Sequence, residues 1–178
     1  HHKYGDFKPC IFKSTDKGST WNSISNNLPE KGSVYSIEED HVDSNLIFCG
    51  TEFSVFFSPD SGESWEELSS GLPTIAVRDI AIQRRENDLV LGTFGRGFYV
   101  MDDYSVLRSI ENSEISLGAK IFDVRDALMW EKASPLGLPG KAFQGDNFYL
   151  AENLDPVAIF TYNYDKKHES LKSKRQKE

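Results

Sequence analysis

Two octapeptides, STDKGSTW (Ser14–Trp21) and SPDSGESW (Ser58–Trp65), repeat one skeleton of Ser, Asp, Gly, a hydroxyl residue and Trp at a shift of 44 residues. The match extends to Leu28-Pro29 against Leu72-Pro73. With small gaps it then pairs VYSIEED with VRDIAIQ, NLIFCGT with NDLVLGT, and SVFFSPD with GFYVMDD. Self-similarity at this period is the mark of stacked supersecondary units, so the chain is predicted to build its core between repeats rather than within one. In the best-defined repeat, VYSIEED, LIFCGT, SVFFS and WEELS read as four short strands. They are rich in β-branched and aromatic residues and are bounded by Asn, Asp, Gly, Ser or Pro clusters. Four strands in roughly 40–45 residues is the size of one propeller blade, which cannot bury both of its faces alone.

The skeleton resembles the Asp-box, or BNR, repeat of sialidases and of sortilin-type and xyloglucanase-like propellers. The stretch NDLVLGTFGRGFYVMDDYSVLR further resembles the closing blade of large bacterial BNR-repeat proteins commonly labelled sortilin-like or glycosyl hydrolases. The resemblance covers Tyr4 to Arg108 and, more weakly, GDNFYLAENLDPVAIFTYNY, which is similar to the entry to their next β domain. The expected fold class is therefore all-β: a partial β-propeller of four-stranded antiparallel blades with Asp-box hairpins, then a linker and the first strand or strands of a sandwich-like domain. The expected divisions are 1–108 for the last two to three blades, 109–145 for a connector, 146–165 for the start of a further β domain, and 166–178 for a basic tail.

In a hairpin an Asp carboxylate can accept backbone N–H bonds from the residues just ahead, and Gly can take a positive φ. Asp16 with Gly18, and Asp60 with Gly62, fit those roles, while Trp21 and Trp65 supply large rings for packing. Each box offers one clear carboxylate where a calcium loop supplies several oxygens, so the boxes read as scaffold and no metal is expected. In the third repeat Asp103 keeps its place, but Tyr104-Ser105 and Val106-Leu107-Arg108 replace the Gly and the hydroxyl-Trp end. That departure suits a terminal repeat.

Recognition is expected on the face opposite the boxes, from Glu52 and Phe53 in GTEFS, Phe94 and Arg96 in GTFGRGF, and Arg78 and Asp79 at the start of an inner strand. Arg96, between Gly95 and Gly97, could pair bidentately with a carboxylate or form a structural bridge to Asp102 or Asp103. The simpler reading of Arg78 and Asp79 is a channel-wall ion pair. No Gly-x-Ser-x-Gly elbow, hydrolytic triad or phosphate-binding Gly loop is present, the Arg-Ile-Pro signature of sialidases is absent, and no cofactor is implied.

The formal charge is −8, but residues 166–178 hold six Lys or Arg against two Glu, leaving the first 165 residues with 14 basic and 26 acidic side chains, net −12. Such a body repels nucleic acid. No apolar run approaches the roughly 18–20 residues of a membrane span. Cys49 reads as a small buried side chain, with a Cys10–Cys49 disulfide as the alternative. The expected function is a protein- or glycan-binding scaffold, part of a larger polypeptide whose remaining blades and domains are its first partners. The resemblance implies a secreted, periplasmic or cell-surface location. The alternatives are a propeller-type glycoside hydrolase using a carboxylate pair on polysaccharide, and an envelope assembly factor acting as a chaperone.

Overall fold

The computed structural model describes residues 4–110, 119–131, 155–164 and 175. The linker ASPLGLPGKAFQG, the stretch GDNFYLAENL and the basic tail apart from Arg175 lie outside the described residues. The chain divides into two units, His1–Ser116 and Leu117–Glu178.

The described residues of the first unit are mostly β-strand and turn, with a short 3-10 helix at Tyr104–Ser109. A hairpin of β1 (Phe12–Lys13) and β2 (Asn22–Ser23) is followed by a four-stranded sheet. Its strands are β3 (Val34–Glu39), β4 (Ile47–Thr51), β5 (Val55–Ser58) and β6 (Glu66–Glu67), paired in chain order. A three-stranded sheet follows, again in chain order, of β7 (Val77–Gln83), β8 (Asp88–Thr93) and β9 (Phe98–Met101). Every pairing is antiparallel. The aligned repeats VYSIEED and VRDIAIQ thus become β3 and β7, and NLIFCGT and NDLVLGT end in β4 and β8. The repeats differ in completeness: the first contributes only a hairpin, and in the third the helix Tyr104–Ser109 stands where a fourth strand would form.

Strands β4 and β5 are buried at every position, on both faces. One face directs Phe48, Val55 and Phe57 toward Val77, Ile80, Leu89 and Leu91 of the three-stranded sheet, with Tyr104 and Leu107 completing that core. The other face directs Ile47, Cys49 and Phe56 toward Ile11, Leu28 and Trp65. Continuous apolar runs such as LIFC and VFF are what a strand covered on both sides requires. Close packing leaves no space at Gly50, where a Cβ would stand 2.5 Å from the Ser36 hydroxyl and 2.8 Å from the Val77 carbonyl oxygen.

The register shows which positions of the outer sheet are equivalent. Val90, Phe98 and Val100 align with Phe48, Val55 and Phe57, yet Phe98 and Val100 are 80% and 56% exposed. At the other end Trp21 aligns with Trp65 but is 62% exposed against 3%. Trp65 packs on the preceding hairpin, its indole N–H donating to the Ile24 carbonyl at 2.7 Å. The described residues supply no sheet on that side of Trp21, whose indole bonds instead to its own loop at Gly18 O (3.1 Å).

In the second unit, β10 (Ala119–Ile121) pairs antiparallel with β11 (Tyr162–Tyr164). The pairing joins a segment read as connector to the segment read as the start of a further β domain. The alternating run PVAIFTYNYD forms a strand only over its last residues, and β11 is not alone.

Candidate functional site

The two boxes fold alike and consume their own polar groups. In the first, Asp16 accepts from the Thr20 backbone N–H (2.8 Å), the Thr20 hydroxyl (2.7 Å) and the Ser14 hydroxyl (2.9 Å), and Ser14 Oγ in turn accepts from Gly18 N–H (2.7 Å). These bonds, led by the Thr20 N–H, lower the Asp16 carboxyl to a pKa of about 2. The second repeats them with Asp60, Ser64, Ser58 and Gly62. Burial acts to raise the Asp60 pKa, but the Ser64 and Ser58 bonds outweigh it and hold the carboxyl below its ordinary value. Gly18 and Gly62 have φ of 89° and 96°, as the sequence requires, and the residues before them, Lys17 and Ser61, also take positive φ (58° and 62°). With their carboxylates occupied by the hairpin's own donors, Asp16 and Asp60 act as braces.

The opposite ends of the strands carry the sequence-nominated residues. There the loops are tied to the next inner strand by a repeating set of backbone bonds: Gly32 N–H to Phe7 O, Glu52 N–H to Ser33 O, Ile75 N–H to Phe53 O, and Phe94 N–H to Ala76 O, all 2.9–3.0 Å. Phe7, Phe53 and Phe94 are exposed along this edge. Sequence reasoning missed Phe7. Phe7 accepts from Gly32, two residues before Val34, just as Phe53 accepts from Ile75, two residues before the aligned Val77, an equivalence that only the backbone bonds reveal.

A second repeated feature aims the inner strands. In β3 the register slips between Val34 and Ser36, and in β7 between Val77 and Asp79, so Tyr35 and Arg78 are the extra residues of two equivalent bulges. Bulges re-aim a side chain. Here they bring Arg78 Cζ 3.8 Å from the centroid of the Tyr35 ring and 5.3 Å from that of Phe94. Tyr35 was not singled out from the sequence. Asp79 does not pair with Arg78. It accepts from the backbone N–H of Ile80 (3.1 Å) instead, and among the described residues no carboxylate lies within ion-pair distance of Arg78 or Arg96. Arg96 is exposed between Gly95 (φ 81°) and Gly97 (φ 70°), while Asp103 accepts from Ser105 and caps the 3-10 helix. Glu52 and Phe53 sit in the tight β4–β5 loop closed by the Thr51 hydroxyl.

The densest charged cluster lies at the other end of the sheets and escaped the sequence reading. Asp40, buried at the end of β3, accepts from Arg108 Nε (2.7 Å) and Nη2 (2.8 Å), from Tyr104 Oη (2.5 Å), and from the backbone N–H groups of Val42 (3.1 Å) and Asp43 (2.8 Å). Arg108 Nη2 also donates to Asn87 Oδ1 (2.7 Å), and His41 Nδ1 stands 3.3 Å from Tyr104 Oη. Burial alone would push the Asp40 pKa up. The Arg108, Tyr104 and backbone bonds outweigh it and hold the carboxyl well below the usual carboxylate range. Burial, reinforced by Asp40, pushes the Tyr104 phenol up, so it stays a donor. The Tyr104 ring is fully buried, edge-on to Phe48 at 5.0 Å. The cluster is a clamp that fastens the helix after the third sheet to the middle sheet.

Both thiols are free, Cys10 exposed and Cys49 buried. No group of three His, Cys, Asp or Glu among the described residues could hold a metal ion, and no helix among them is long and apolar enough to cross a membrane. Compared with protein-family models, curated proteins and solved structures, the chain has no match.

Proposed function

We propose that this chain is a run of Asp-box propeller blades serving as a binding scaffold, with the loop edge opposite the boxes as its binding face. The observation that carries the reading is the division of polar chemistry between the two ends. The boxes are saturated by their own hydrogen bonds. The loop edge leaves Phe7, Phe53, Phe94 and two arginines open to solvent. Exposed rings held on stitched backbone are rigid platforms, and a flat ring face suits the apolar face of a pyranose as well as it suits a protein side chain. Glycan is the favoured ligand because the platforms recur once per repeat, as sugars recur along a chain.

The blade assignment is supported by the equivalence of Val90, Phe98 and Val100 with Phe48, Val55 and Phe57. The first set has the apolar character the second buries, so a further blade in the same register would cover it. Binding to a panel of immobilised polysaccharides and envelope proteins tests the function. Loss of the response in Phe53→Ala or Phe94→Ala, with Asp16→Ala unaffected, is expected. A response that survives both Phe substitutions, or that Asp16→Ala alone removes, overturns the assignment of faces.

A further inference from the structure

The stack of Tyr35, Arg78 and Phe94 does more than core packing needs. All three side chains lie at the strand ends, Arg78 and Phe94 are exposed, and none belongs to either hydrophobic cluster. With its carbon over two rings, the guanidinium keeps its five N–H donors in a fixed plane. Among the described residues those donors meet no acceptor, and no acid neutralises the charge. A solvent-facing Arg left to itself gains little from a fixed orientation. One held flat with its fork unused is preorganised for a planar oxyanion. The surrounding body carries net −12, so this cation is a local exception to the prevailing field.

The rings beside the fork decide what carries the anion. Phe94 is 69% exposed, so much of its ring remains open beside the guanidinium. A hexuronate, whose carboxylate is attached to a pyranose ring with an apolar face, meets both features within one residue. An acidic peptide would find a single stacked cation and no row of positive charge.

Building on the binding-face reading, we propose that Arg78 is the carboxylate-recognising residue of an acidic-glycan subsite, with Phe94 the platform for the sugar and Tyr35 the support that holds the guanidinium flat. The test is calorimetric titration of the chain with tetragalacturonate, its full methyl ester and poly-glutamate, using wild type, Arg78→Met, Arg78→Lys and Phe53→Ala, with thermal melts to verify folding. The expected result is that the acid binds roughly tenfold or more tightly than the ester, as a bidentate charged hydrogen bond predicts. Arg78→Met should abolish that preference, and Arg78→Lys should not restore it. Equal binding of acid and ester, lost in Phe53→Ala but not in Arg78→Met, overturns the carboxylate subsite and leaves the binding face standing. Arg78-dependent binding of poly-glutamate alone overturns the glycan assignment, and absence of binding to all three probes overturns the subsite.

Discussion

The Asp40 clamp gives the sharpest test of how the sheets are held together. In Asp40→Asn the side chain keeps its shape but loses its charge and presents an amide N–H to a site where five donor groups converge: two from Arg108, one from Tyr104 and two from the backbone. The Arg108 guanidinium, largely buried, is left without its counter-charge. Removing one partner of a buried pair costs about 3–5 kcal/mol, against a whole-domain stability of roughly 5–15 kcal/mol. For a unit of about 100 residues, 1 kcal/mol shifts Tm by about 4 °C or more, so the expected fall is on the order of 12–20 °C. Urea unfolding followed by circular dichroism, with a double-mutant cycle of Asp40→Asn and Arg108→Met, measures it. The double variant should recover part of the loss, because replacing both charges removes the unpaired one. A cost below about 1 kcal/mol with no coupling would mean that the pair behaves as a solvated surface bridge, and the clamp would be refuted.

The same carboxylate fixes a pH dependence. Its folded pKa is depressed, so its contribution is fully present above the ordinary Asp value of 3.8 and is lost as pH falls below it toward the folded pKa; the Asp40→Asn variant should show a flatter acid limb.

Other outcomes follow from the repeat. Trp65→Ala should cost about 3–5 kcal/mol and Trp21→Ala below about 1 kcal/mol in the same unfolding assay, because only the first ring is buried. Gly62→Ala should destabilise more than Gly18→Ala. Both positions require positive φ, but a Cβ at Gly62 would meet Ile24 Cδ1 at 2.7 Å, whereas at Gly18 the nearest atom is 3.8 Å away on Trp21. The Asp16 carboxyl resonance should titrate near pH 2 by NMR, and a midpoint near 4 would show that the first hairpin does not hold its carboxylate. Iodoacetamide at neutral pH should label Cys10 and spare Cys49, whose thiol burial pushes up to about 12.

The repeat made much of this legible. A shift of 44 residues set Trp21 against Trp65, and the β-branched and aromatic runs LIFCGT and SVFFS marked two strands of the middle sheet. The bulges were hidden because a one-residue slip is a property of the backbone pairing, and VYSIEED and VRDIAIQ align the same whether or not it occurs. The proposed ion pair of Arg78 with Asp79 failed for that reason: the bulge turns Arg78 onto Tyr35, while Asp79 stays in register opposite Gly92.

The clamp was hidden differently, in the places where the repeat breaks. Asp40 aligns with Gln83, and both accept from turn N–H groups just beyond their strands, Asp40 from Val42 and Asp43 and Gln83 from Glu86. Only the carboxylate can also take Arg108 Nε and Nη2 on its two oxygens and supply the counter-charge. Tyr104 and Arg108, in turn, lie in the segment where Ser105 and Arg108 replace the Gly and Trp of the repeat, so both halves of the interaction fall where the pattern breaks. There is a physical reason for it to form there. Among the described residues the third sheet has no fourth strand, and its covered face holds to the middle sheet through an apolar interface. Tyr104 and Leu107 extend that interface, and Arg108 anchors their helix to Asp40 across it. Where a helix stands in place of the fourth strand, a buried charge pair supplies the attachment, which is why losing Asp40 should release the third sheet before it disturbs the acidic hairpins.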